Sequence, residues 1–173
     1  MIMAVGTGVY AQSEAVGKFF TKYATDESFT TATISSKMFS LITNMDVKTE
    51  EDKEIMEAIS KLKGLKVLGK ENTSDAKSLY KEAYALVATK DYEELMSVRD
   101  KDKDMKFFIR ETSGKINELV MVMGGADDFM LLSIFGEIDL KAISKIGRKM
   151  DVGGLEQLEK IHHDDKKEDK KKN

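Results

Sequence analysis

Apolar positions recur along this chain with two different periods, and the change of period divides it. In the first half the spacing is mostly helical. Val16, Phe19, Phe20 and Tyr23 form one stripe, with Ser13 ahead of Glu14 as a cap. The β-branched alternation from Phe29 to Ile34 predicts a strand. Ser35 then caps a helix with Met38, Phe39, Leu41, Ile42 and Met45 inward, ended by Asn44 and Asp46. Thr49 followed by Glu50, Glu51 and Asp52 starts the next helix, because acids in a first turn complement the helix dipole. Its inner face is Ile55, Ala58, Ile59 and Leu62, with Gly64 as its end. Leu65 to Leu68 predicts a short strand. Asn72 to Asp75 caps the longest helix, striped by Ala76, Leu79, Tyr80, Ala83, Tyr84 and Val87.

The second half alternates with period two. Strands are predicted over Tyr92–Arg99, Met105–Glu111, Lys115–Met123 and Phe129–Phe135. The joints are Asp100–Asp104, Thr112-Ser113-Gly114 and Gly124–Asp128, which makes an antiparallel meander. Asp139 caps a helix with Leu140, Ile143 and Ile146 inward, and Leu155, Leu158 and Ile161 suggest one more after Gly153-Gly154. The expected fold is α+β: a mainly antiparallel sheet of five or six strands, with the four-strand meander in the C-terminal half, packed against three to five helices. The helices are expected largely on one face, and the long helix leaves room for one parallel strand pair. Strands 115–123 and 129–135 are apolar on both sides, which places the sheet centre there.

The ends of the chain differ from its body. Residues 1–11 are uncharged and mostly apolar, and Val9 and Ala11 stand three and one positions before Gln12, as a signal peptidase requires. The segment reads as the remnant of a cleavable export signal. No basic residue precedes it, so a late gene start or an apolar native terminus is the competing reading. Residues 12–161 then form a single α+β domain, and 162–173 a charged, disordered tail. The expected location is periplasmic or secreted.

Composition removes whole classes of chemistry. The 173 residues contain no cysteine, which excludes disulfides, thiolate metal sites, cysteine nucleophiles and a lipid anchor on cysteine. Both histidines, His162 and His163, lie in the charged tail with nothing to orient them, so imidazole triads and most zinc sites are excluded from the body. A net charge of −3 speaks against a nucleic-acid partner. No stretch approaches the roughly 20 apolar residues of a transmembrane segment. The glycine pairs at 124–125 and 153–154 lack the phosphate-loop context, and Asp100–Asp104 lacks the glycine and glutamate of a calcium loop. No cofactor or metal is expected. Met121, Met123 and Met130 are core fillers or, alternatively, an exposed adaptable patch.

Carboxylates remain. Glu93, Glu94, Glu111, Glu118, Glu137 and Asp139 lie on or beside the meander, and charges on a solvated sheet face are their ordinary explanation. Glu118, Glu137 and Asp139 are the candidate catalytic acids. Glu118 stands mid-strand between Ile116 and Val120, where it can pair with Arg110 across the turn.

Three segments carry a resemblance: Ile34–Phe39, Leu62–Leu68, and Ile116-Asn117-Glu118-Leu119 followed by Leu131–Leu140. In that order and spacing the chain resembles domain-of-unknown-function family 4252, from about Phe19 to Met150. The resemblance implies a small exported α+β protein of Bacteroidetes, from a family often lipid-anchored and often encoded near extracytoplasmic-function sigma factors. No catalytic residue is established for that family. The leading expectation is a non-enzymatic extracytoplasmic module that binds a protein or small ligand, possible roles including envelope or surface regulation. A carboxylate-dependent periplasmic hydrolase and a component of a sigma-factor stress circuit are the alternatives.

Overall fold

A computed structural model of the chain describes residues 13–43 and 48–150. The expectations placed on residues 1–11, Asn44, Met45, Asp46, the Ile146 side chain and everything from Asp151 onward lie outside the described residues. The elements run α1 (Glu14–Tyr23), β1 (Thr30–Ser35), α2 (Ser36–Thr43), α3 (Glu50–Ser60), β2 (Leu62–Lys70), α4 (Ala76–Val87), β3 (Glu93–Arg99), β4 (Lys103–Thr112), β5 (Lys115–Gly125), β6 (Phe129–Gly136) and α5 (Leu140–Met150). Among the described residues the fold is α+β, a six-stranded sheet with five helices.

The sheet order is β1-β2-β6-β5-β4-β3, and all five pairings are antiparallel. Among the described residues no parallel pair forms, although the long helix left room for one, because β2 takes β6 as its neighbour while β3 enters at the far edge beside β4. β3 to β6 make the expected meander. β5 and β6 occupy the centre, and β5 is buried almost continuously from Asn117 to Met123.

The second correction concerns the helices, which cover both faces. Val16, Phe19 and Phe20 of α1 and Leu79, Ala83 and Val87 of α4 pack on Leu68, Phe108, Val120, Val122, Phe129 and Leu131. Phe39 of α2, Ile55 and Ile59 of α3 and Ile143 of α5 pack with Phe107, Ile109, Leu119, Met121, Leu132 and Ile134 on the opposite face. Strict alternation along β4, β5 and β6 feeds the two cores in turn, so both kinds of side chain need a helical cover.

Local chemistry accounts for the boundaries. Ser13 and Thr49 each accept from the backbone N–H three residues on (Val16 at 3.3 Å, Asp52 at 3.1 Å), as N-caps do. Gly64 does not end α3: the helix closes at Ser60, and β2 begins at Leu62 and is longer than expected. The ring of Phe135 covers Gly64, and a Cβ there would lie 2.2 Å from it. Gly124 and Gly125 likewise close β5 rather than forming the turn; a Cβ on Gly124 would strike the Tyr80 side chain of α4 at 2.7 Å. Met121 is buried in, and Met130 half-buried against, the core under α2, α3 and α5, and Met123 is buried, so the three make no exposed patch.

Candidate functional site

Glu118 is the one charged group among the described residues whose burial is complete, at 0% exposure. Its place follows from register. β4 and β5 pair Arg110 directly with Glu118, and β5 alternates so that Glu118 shares a side with Val120 and Val122, beneath α1 and α4. The expected cross-strand pair is present: Arg110 Nη2 lies 3.2 Å from Glu118 Oε2. The expected solvated setting is not.

Four donors surround the carboxylate. Ser133 Oγ on β6 donates to Oε1 at 3.0 Å. Oε2 accepts from the Tyr92 hydroxyl at 2.7 Å and from the backbone N–H of Ser13 at 3.1 Å, in addition to the Arg110 contact. A buried carboxylate is tolerated when it is ion-paired and both its oxygens are hydrogen-bonded, and both conditions hold here. Burial, and then the negative charge of Glu118, push the Tyr92 hydroxyl well above its usual range, so it stays protonated and donating. The guanidinium of Arg110 also lies 6.0 Å from the Tyr92 ring centroid.

Three of the residues that contact Glu118 line a cleft that Glu118 itself does not reach. Ser13, Tyr92 and Arg110 border an open cleft of about 600 Å³ between the start of α1, the α4–β3 connection and the end of β4. Glu14, Thr89, Lys90, Asp91, Glu111 and Thr112 complete its polar wall.

The other two candidate acids are placed apart from this cluster, in the connection from β6 to α5. Glu137 is ion-paired with Lys115 at 2.7 Å, and that bond holds its carboxyl below the usual range. Asp139 caps α5, its Oδ1 accepting from the Ala142 N–H at 3.0 Å. Both border a second cleft of about 690 Å³ with Glu54, Lys61, Lys115 and Lys145. The structure thus brings Glu137 and Asp139 to one cleft and keeps Glu118 on the sheet face beneath α1 and α4. Glu94 pairs with Lys106 at 2.8 Å, while Glu93 and Glu111 are exposed. The run Asp100–Asp104 serves the β3–β4 hairpin, where the Asp100 N–H donates to the Lys103 carbonyl and Arg99 bridges Asp104.

Sequence reasoning missed Ser133, Tyr92 and the Ser13 backbone as members of the cluster. Ser133 carried a usable signal: it is the one hydroxyl in an apolar run, at the alternation position that faces Glu118.

The fold and this cluster define an α+β protein whose antiparallel sheet is covered on both faces and whose buried carboxylate is fully enclosed by its own side chains and backbone. The family model described as Domain of unknown function (DUF4252) matches residues 23–146, well over half of the chain, and the chain belongs to that family. No curated protein and no solved structure matches the chain.

Proposed function

We propose that this chain is a non-enzymatic binding module, exported to the periplasm or beyond, whose ligand-facing wall is the cleft bordered by Tyr92 and Arg110. One observation carries the reading: both oxygens of Glu118 are already engaged by four donors, while the residues of three of them, Ser13, Tyr92 and Arg110, border an open cleft. A general acid or base needs a free lone pair or proton directed at substrate. Glu118 instead orients Arg110 and Tyr92 from behind, and preorganised side chains at a concave polar wall suit recognition. The tripeptide Val9-Tyr10-Ala11 supports export, and the family resemblance supports an origin in Bacteroidetes.

The test joins location to activity. Expression in a bacterial host with periplasmic extraction should yield protein that begins at Gln12 by intact mass. That protein should leave ester, glycoside and peptide substrates unchanged. Turnover that disappears in Glu118→Gln would establish the hydrolase instead, and Met1 retained on the extracted protein would overturn export.

A further inference from the structure

The two edges of the sheet are built differently. β3, at one end, carries Glu93, Glu94 and Arg99 and is interrupted by a bulge between Glu94 and Met96. Charges and bulges are the usual means by which an edge strand is kept from pairing with another chain. β1, at the other end, has neither. It reads Thr-Thr-Ala-Thr-Ile-Ser, pairs with β2 in unbroken register, and is exposed along nearly its whole length.

The helix that follows continues the anomaly. α2 packs over β1 and β2 through Phe39, yet it leaves Met38 48% and Leu41 54% exposed. These are the large hydrophobic residues on the surface among the described residues, and three positions apart they share one side of the helix. From Thr30 to Thr43 only Lys37 is charged, in a chain where 34% of residues are. An uncharged free edge beside exposed apolar side chains is the surface most costly to leave in water.

We infer that the β1 edge and α2 form a homodimer interface, in which β1 pairs antiparallel with β1 of a second copy. A two-fold axis perpendicular to the sheet is the operation that joins identical edges antiparallel while keeping like faces on the same side. Centred on Ala32, that axis sets Thr31 against Thr33 of the other copy and brings both α2 helices to the same side of a continuous sheet. Threonine pairs of this kind favour cross-strand association. The same axis brings Lys37, in the first turn of α2, and Glu27 of the other copy, in the turn before β1, to the same end of the strand pair. Neither Lys37 nor Glu27 has an ion-pair partner within its own chain among the described residues. The flanking charges are thus complementary for an antiparallel second copy, and a parallel one would set like charges side by side. This surface is separate from the Tyr92–Arg110 cleft, so self-association is independent of the proposed binding role.

Sedimentation velocity on the full chain, from low micromolar to millimolar concentration, tests the interface. The expected species has twice the 19.4 kDa chain mass. Ala32→Lys, which sets two ammonium groups against each other at the axis, should give monomer whose unfolding midpoint equals that of wild type at concentrations where wild type is monomeric too. Lys37→Glu and Glu27→Lys should each weaken association by about tenfold, and the double exchange should restore it. Monomer at every concentration, or a dimer indifferent to Ala32→Lys, would overturn the inference.

Discussion

Beneath α1 and α4, a carboxylate with no solvent exposure stands beside Val120 in a core rich in phenylalanine. Beneath α2, α3 and α5, the same strands present Phe107, Ile109, Leu119, Met121, Leu132 and Ile134, hydrocarbon and thioether throughout. One β5 strand serves both sides, with Glu118 and Val120 directed to one and Leu119 and Met121 to the other. The second core is held by burial and shape. The first adds a directional requirement, since Glu118 is satisfied only when α1, the residue before β3, and strands β4 and β6 all take their places. The carboxylate therefore ties the placement of these segments to one another.

The sharpest way to break this contrast is Glu118→Leu, which leaves Arg110 without its buried counter-charge. Loss of one member of such a pair is expected to cost about 3–5 kcal/mol, read as a fall in the urea unfolding midpoint. Adding Arg110→Met should return only part of that loss, because the Arg110 side chain is 26% exposed at the cleft and its charge can be solvated, whereas the Ser133, Tyr92 and Ser13 donors remain without an acceptor. A double variant no better than the single one would mean that the carboxylate contributes net stability through Ser13, Tyr92 and Ser133.

On the other face Met121→Ala should cost about 3 kcal/mol, by creating a cavity in a site with no exposure. Here no second truncation helps. Leu132, which pairs with Met121 across β5 and β6, would enlarge the void if it were also shortened. Thermal unfolding of Met121→Ala and of the double variant with Leu132→Ala measures this. Recovery in the double variant would erase the distinction between the faces.

What the sequence made legible follows the same division. Two-sided apolarity in Lys115–Met123 and Phe129–Phe135 identified the central strands, since only a strand covered on both sides can carry it. That inference also implied a covered second face, yet a stripe such as Ile55, Ala58 and Ile59 tells that a helix has an inner side without telling which face of the sheet receives it. The Arg110–Glu118 pair was legible because a short hairpin turn brings the two strands together, although a bulge between Arg110 and Glu111, which the sequence did not show, is what sets Arg110 opposite Glu118 rather than Asn117. Tyr92 and Ser13 were not, because they reach Glu118 from 26 and 105 residues away, distances over which periodicity carries no information. Gly64 was misassigned for a related reason: the ring of Phe135 that demands it belongs to a strand distant in sequence.

The smallest expected effect is the most discriminating for the polar side. Tyr92→Phe removes one of the four donors to Glu118 and leaves no charge unpaired, so a loss of about 1–2 kcal/mol at neutral pH is expected. Its pH dependence has a defined sign. In the folded protein burial and the Glu118 charge hold the hydroxyl protonated well beyond the ordinary tyrosine value, whereas in the unfolded chain it ionises near pH 10. Above about pH 10 the unfolded state therefore loses a proton that the folded state keeps, and stability conferred by this group falls as pH rises toward the folded value. Below about pH 10 that contribution is complete. The advantage of wild type over Tyr92→Phe should accordingly be constant through neutral pH and shrink above about pH 10, with lysine titration common to both chains cancelling in the difference. Urea midpoints for the two proteins across that range decide it: parallel curves would mean that Tyr92 is not held protonated by Glu118 and its burial.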